Sequence, residues 1–350
     1  MHASLSSKRF DGFRPGSFDR GRHPGRSGRG CGHFAHQGRS VRHRVARPHA
    51  FAALHRADPR WHDAAWGASR GGPTPWGQRG RGRRRGFGQV AAHFGTQLAR
   101  EICAEHGQAG VAVSRAHHIG RLGEYAENLA ATGLAGLVIA AGGNRGGSVA
   151  LHGSRERLLG TNPIALAVPT PAPHPPLVLD FATSAVPEGR VAVAQANGTA
   201  LPAGCLIDRE GRPTRSPDDF YAGGALLPFG AHKGSALMLM IEILATTLAG
   251  SMPICQAGYR MGNPALILAW SVENFTPLPD FHRTVSELLD QIKKSAPAEG
   301  FSEVLLPGEI EFRHRREREI SGVPVSPGVW EEISALARSL NISPPAKLST

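Results

Sequence analysis

The first glutamate in this chain is Glu101, the first isoleucine Ile102 and the first tyrosine Tyr125. Residues 1–85 hold two Leu and no Ile, too little apolar surface to offset the entropy of ordering a backbone. A hydrophobic core can therefore be built only from about Gly86 onward. Charge divides at the same place. Residues 1–85 carry 18 Arg and one Lys against four Asp and no Glu, a net of +15, so the remainder accounts for −3 of the chain's +12. Two regions follow: a basic Arg/Gly/Pro/His-rich segment over 1–85, expected to be disordered or frame-shifted, and an ordinary folded region over 86–345. Three origins for the basic segment stay open. RG-rich stretches such as 77–85 suit nucleic acid through counterion release. A solvated tail needs no partner. Translation of a GC-rich gene in the wrong frame also yields Arg, Gly, Pro, Ala and His.

Several classes are excluded or disfavoured. No run of about 18 apolar residues exists to span a membrane. The N-terminus has no apolar h-region, so it does not read as a secretory signal. Cys31, Cys103, Cys205 and Cys255 lack metal-ligand spacing and are too few for a disulfide framework, which fits a reducing compartment, the cytoplasm, and no metal.

From Gly86 the pattern alternates. Apolar residues Phe94, Leu98 and Ile102 at helical spacing predict a helix over 91–106, followed by a strand at 110–113. A helix at 121–131 and a buried strand at 134–141 come next. Strand–helix–strand alternation predicts a mostly parallel sheet. Gly142, Gly143, Gly146 and Gly147 make a loop expected to be flexible, without the strand–GxGxxG–helix context of a dinucleotide fingerprint. Further strands are expected at 164–168, 177–184 and 265–270, and helices at 235–248, 284–292 and 329–340.

Five short motifs carry candidate chemistry. His117-His118-Ile119-Gly120 lies where a strand hands over to a helix, the usual place for ligand contacts in α/β sheets; one histidine could equally cap the helix. Gly160-Thr161-Asn162-Pro163 is a turn before a strand. Asp180 ends an apolar strand and needs a partner if buried, either a backbone cap or a catalytic histidine. Lys233, flanked by His232 and Gly234 at a helix start, suits an anion, or is simply solvated. Leu306-Pro307-Gly308-Glu309 is a second Gly-containing turn.

Taken together, HHIG at His117, GTNPIA at Gly160, LDFATS at Leu179, HKG at His232 and LPGE at Leu306 resemble the malate/L-lactate dehydrogenase family. This family does not use a Rossmann fold, and it includes ureidoglycolate and sulfolactate dehydrogenases and cyclic-imine reductases. The resemblance implies a three-layer α/β/α fold with a mixed sheet, and a homodimer whose site lies near the subunit interface. It implies hydride transfer between NAD or NADP and C2 of a small 2-hydroxy or 2-oxo acid of malate or lactate type. In that scheme His118 and Asp180 are catalytic. Thr161, Asn162, Asp180, Phe181, Ala182 and Lys233 line the cofactor, with Pro307, Gly308 and Glu309 on its far side. Family members also begin with a Ser-His-Gly segment whose His donates a proton and whose neighbouring Arg holds the substrate carboxylate. No Ser-His-Gly occurs in residues 1–85, although the distance from Met1 to HHIG is about that of the family. Preserved length with foreign composition favours a shifted frame and an impaired enzyme. The rival is a basic-tailed α/β protein that binds nucleic acid; steep loss of binding with salt would identify it.

Overall fold

The computed structural model describes residues 87–344, apart from positions 173 and 326. Segment 1–85, the expectations placed on it, and Cys31 lie outside the described residues. In chain order the strands are β1 (Gln108–Val113), β2 (Leu134–Ala140), β3 (Val149–Ala150), β4 (Arg157–Leu159), β5 (Ile164–Val168), β6 (Leu177–Phe181), β7 (Leu206–Ile207), β8 (Pro213–Thr214), β9 (Ala225–Leu226) and β10 (Ala265–Ser271). The helices are α1 (Gly88–His106), α2 (Gly123–Ala130), α3 (Glu188–Ala196), α4 (Pro217–Tyr221), α5 (His232–Glu242), α6 (Leu278–Lys293), α7 (Glu309–Ser321) and α8 (Pro327–Ser339). Helix α5 runs on as a π-helical turn, Ile243–Thr247.

Helix α1 buries Ala91, Ala92, Gly95, Thr96, Ala99, Ile102 and Cys103, a stripe of helical period. Its small residues let it lie close to the sheet: a Cβ on Gly95 would come within 3.0 Å of the Ile267 and Val113 side chains. Gly107 ends it at φ 78°, a left-handed turn, and donates its N–H to the Cys103 carbonyl at 2.7 Å.

The main sheet has the order β1-β10-β2-β5-β6. Every neighbouring pair in it is antiparallel, which corrects the expectation of a mostly parallel sheet. The reason is a long-range insertion. Strands β1 and β2 run the same way around helix α2, as the alternation predicts, but β10 from far downstream enters between them and pairs antiparallel with both. Local periodicity cannot distinguish a crossover to the next strand from a crossover that skips one. The second sheet, β4-β3-β9-β7-β8, is the mixed one, with a single parallel pairing at Val149 and Leu226.

Strand residues alternate between two cores. Val111, Val138, Ala165, Val178 and Ile267 face α1 and α2 with Tyr125 and Leu129. Ile139, Ala141 and Leu266 face Ile241 and Ala245 of α5 and its π-helical turn. Each fully buried aliphatic side chain here contributes about 1.5–3 kcal/mol of transfer free energy. The second sheet has its own core around Val149, Leu206, Phe220, Leu226, Met238 and Ile254.

Among the described residues one carboxylate is fully buried. Glu242 is 1% exposed; it accepts hydrogen bonds from Asn162 Nδ2 at 2.8 Å and from the Ile254 N–H at 2.8 Å. Burial pushes its carboxyl above the ordinary glutamate range, and the Ile254 and Asn162 donors pull it back only in part. A folded-state pKa above the unfolded one favours the fold fully below the unfolded value, about 4.3, and loses that contribution as pH rises through the folded value. Glu242→Gln should therefore flatten the fall in melting temperature between pH 5 and 8. Gln offers one acceptor oxygen for two donors, so its fixed cost is about 1 kcal/mol at every pH. Thermal melts at pH 5, 6.5 and 8 check this; parallel curves for the two proteins would refute it.

Candidate active site

Strand β6 is one edge of the main sheet, and the Val178 N–H and the Asp180 side chain find partners in other segments. The Val178 N–H donates to the Pro307 carbonyl at 3.3 Å. Asp180 Oδ2 accepts from the Gly123 N–H, the start of helix α2, at 2.8 Å, and Arg121 Nε stands 3.4 Å from the same oxygen. Of the two partners the sequence left open, the helix end is the one present; among the described residues no histidine bonds or ion-pairs with Asp180. Burial raises the Asp180 carboxyl, the Gly123 N–H and Arg121 lower it, and Glu311 raises it again; the net shift is upward.

Beyond β6, Thr183 joins two more motifs. Its Oγ1 donates to the carbonyls of Thr161 at 3.0 Å and Asn162 at 2.8 Å, and its own carbonyl accepts from the Phe229 N–H at 3.0 Å. The Phe181 ring meets the Phe229 ring edge-on, centroids 5.3 Å apart. Phe229 leads into the turn before α5, where Gly234 is obligatory: a Cβ there would lie 2.0 Å from the Phe229 carbonyl oxygen. Lys233 sits in the first turn of α5 with an exposed side chain and no ion pair among the described residues.

Residues Arg121, Val178, Leu179, Asp180, Phe181, Pro307, Gly308 and Glu311 line a cleft of about 250 Å³. Four residues expected at the site are brought together here: Asp180, Phe181, Pro307 and Gly308. Thr161 and Ala182 are half-buried behind it. Asn162 turns inward at φ 32°, donating to the Met238 carbonyl and to Glu242, while its Oδ1 is buried without a partner. It braces the fold rather than lining the cleft. The Glu309 carboxylate is engaged away from the cleft, by Lys293 at 3.0 Å, by the Leu306 N–H at 2.9 Å and by Arg313. Arg121 and Glu311 escaped the sequence reading, because neither belongs to a motif and each is positioned by tertiary packing.

His117 and His118 are both exposed. The Gly120 N–H donates to His118 Nδ1 at 3.0 Å, so the neutral ring carries its proton on Nε2. Two contacts shape this loop. A Cβ on Gly88 would lie 2.1 Å from the His117 carbonyl oxygen, so the start of α1 packs directly on it. The buried Tyr125 hydroxyl donates to the Ile119 carbonyl, and burial pushes that phenol up to about 12, with Glu124 adding to it. The glycine loop after β2 is pinned rather than flexible: Tyr259 Oη bonds the Gly143 N–H at 2.9 Å and the carbonyls of Gly143 and Gly262 at 2.7 and 3.0 Å. Among the described residues no cluster of three or more His, Cys, Asp or Glu could hold a metal ion. No helix among them is long and apolar enough to cross a membrane.

The fold is that of an α/β protein with a cleft at one edge of its main sheet. A sequence model of the malate/L-lactate dehydrogenase family matches residues 83–334. Hydroxycarboxylate dehydrogenase B of Escherichia coli (strain K12) is 36% identical over 264 residues, 74% of this chain and 72% of that protein. Malate dehydrogenase of Pyrococcus abyssi is 36% identical over 268 residues, 73% of each chain. The solved sulfolactate dehydrogenase from Methanocaldococcus jannaschii superposes with a TM-score of 0.65 at 32% identity, covering 74% of both chains. The chain belongs to the malate/L-lactate dehydrogenase family, an oxidoreductase family whose members include the hydroxy-acid dehydrogenases just named.

Proposed function

We propose that this chain is an oxidoreductase for hydride transfer between NAD or NADP and C2 of a small 2-hydroxy or 2-oxo acid, malate or lactate in type. The observation that carries the reading is the convergence of four motifs on β6 and its extension through Thr183: the Gly123 helix start after HHIG, GTN, the turn before HKG, and LPG. The cleft residues fit a nicotinamide dinucleotide. Asp180 and Glu311 offer acceptors for sugar hydroxyls, Leu179, Phe181 and Pro307 offer apolar faces, and Arg121 offers a cation. The cofactor supplies hydride chemistry when bound; the protein binds it, orients the acid and moves a proton. In this scheme the exposed His118 orients the substrate oxygen or exchanges a proton with it through Nε2, while the main proton donor is the histidine of the Ser-His-Gly segment that residues 1–85 lack. Asp180 acts on the pocket by fixing the start of α2 and the Arg121 guanidinium. The Lys233 ammonium and the positive end of the α5 helix dipole suit the cofactor's phosphates.

Fluorescence titration with NADH and NADPH, followed by turnover of oxaloacetate and pyruvate, tests the reading. Absence of binding to either nucleotide would overturn it. The basic segment on which a nucleic-acid role depends lies outside the described residues, and no observation favours that role.

The same reading includes a three-layer α/β/α arrangement, supported by cores on both faces of the main sheet, a cytoplasmic location, and a homodimer. Leu166 on the sheet, and Leu239, Met240, Ile243, Leu244 and Leu248 on α5 and the turns after it, are large apolar side chains left exposed outside the cleft. A second copy of the chain would cover them. Light scattering should give twice the 37.1 kDa chain mass, and Met240→Arg with Leu244→Arg should halve it. A parent measured as a monomer would end the dimer reading.

A further inference from the structure

We infer that Lys293, in the last turn of α6, is a positioning residue for the wall of the β6 cleft, holding the 303–309 loop against that strand. The inference rests on the reading of the cleft as the cofactor site. Lys293 Nζ donates to the Val304 carbonyl at 2.7 Å and reaches Glu303 Oε2 at 3.1 Å and Glu309 Oε1 at 3.0 Å. Glu309 Oε2 in turn accepts the Leu306 N–H at 2.9 Å. Arg313 of α7 closes the ring by bonding both Glu303, at 2.7 Å through Nη2, and Glu309. Two carboxylates are thus shared by two cations drawn from α6 and α7, with the loop between them.

The consequence of the ring lies at its far side. Pro307 presents its carbonyl to the Val178 N–H at 3.3 Å. Gly308, at φ 84°, passes so close that a Cβ would stand 3.0 Å from the Val178 carbonyl oxygen. Pro307 and Gly308 then face Asp180 and Phe181 across the cleft. Exposed ion pairs add little to global stability. This cluster instead binds main-chain groups at Val304 and Leu306, and so fixes where the loop runs. Arg313 and then Lys293 pull the Glu303 carboxyl down to about 2, so the ring stays ionised throughout the neutral range.

Lys293→Met in the full chain tests the assignment, with Lys293→Arg as the conservative variant. Amide hydrogen exchange on the cofactor-free proteins should be at least about tenfold faster at Leu306 and Val178 in Lys293→Met, as local opening of the loop requires, with Val138 in the middle of the sheet unchanged. The Kd for NADH or NADPH should rise about five- to tenfold, the scale of one ordinary hydrogen bond, with kcat within about twofold. Lys293→Arg should recover most of both effects. Unchanged exchange at Leu306 and Val178 would overturn the positioning role whatever happens to the cofactor. Faster exchange with a parental Kd would overturn it as well, since the loop would then form no cofactor wall. If the parent binds neither nucleotide, the cofactor reading fails, while the exchange data still decide whether Lys293 holds the loop.

Discussion

With the coding sequence upstream of Gly86 returned to the frame that supplies the family's N-terminal segment, kcat with NADH and oxaloacetate or pyruvate should rise by about 10²–10⁴-fold, the usual worth of a positioned acid/base. The expectation starts from composition: residues 1–85 contain no Glu, no Ile and no Ser-His-Gly. The match to the family begins at residue 83, and the Escherichia coli relative is covered over 72% of its length. In the structure, the Asp180 carboxylate is occupied by the start of α2 and by Arg121. His118 stands on an exposed loop whose Nδ1 is already engaged. A chain with the cofactor motifs and without the Ser-His-Gly donor should bind nucleotide and turn over slowly. The gain should therefore appear in kcat, with the nucleotide Kd nearly unchanged. Translation of the upstream nucleotides in all three frames comes first; if none encodes an amphipathic helical segment with Ser-His-Gly, the frame-shift explanation is wrong. Equal kcat in the two proteins would show instead that His118 suffices as the acid/base.

Lys233→Ala should weaken NADH or NADPH binding by about 1–3 kcal/mol, or roughly five- to 150-fold, the range for a hydrogen bond to a charged group. Lys233 lies in the first turn of an 11-residue helix, beside Gly234, with no competing carboxylate among the described residues. The helix end and the ammonium therefore act on the same anion. Because the side chain is exposed and unpaired there, the substitution should leave thermal stability within about 0.5 kcal/mol. That separates lost binding from lost folding. An unchanged dissociation constant would make Lys233 a solvated charge.

Several features of this molecule are legible in its sequence. Helical spacing at Phe94, Leu98 and Ile102 marks α1, and the apolar run at 164–168 coincides with β5; the strand expected over 177–184 ends three residues earlier, at Phe181, where the chain leaves the sheet edge and Thr183 turns to Thr161 and Asn162. The predicted starts of α5 and α6 fall three and six residues late. Gly-rich or Pro-containing first turns such as His232-Lys233-Gly234 and Leu278-Pro279 lack the apolar period that marks a helix, although Pro is well suited to a first turn. The region 313–319 reads only as charged and solvated, yet it lies within α7, which buries none of its residues. With no buried face there is no stripe to read.

The sequence by itself determined the five strands of the main sheet, the helices that carry an apolar period, and which five motifs stand in family order; the short strands of the second sheet and helices α3, α4 and α7 are not legible in it. Those properties are local: they follow from side-chain volume, charge and periodicity along a few consecutive residues. Tertiary structure alone decided how the segments meet. It inserted β10 between β1 and β2, and so made the main sheet antiparallel. It gave Asp180 to the α2 helix end and Arg121, drew Glu309 away from the cleft toward Lys293 and Arg313, and pinned the glycine loop with Tyr259, 116 residues further on. A buried carboxylate or an edge-strand N–H must find a partner, but the chain's local pattern does not say which one. That choice is made by whichever groups the packed core brings within about 3 Å.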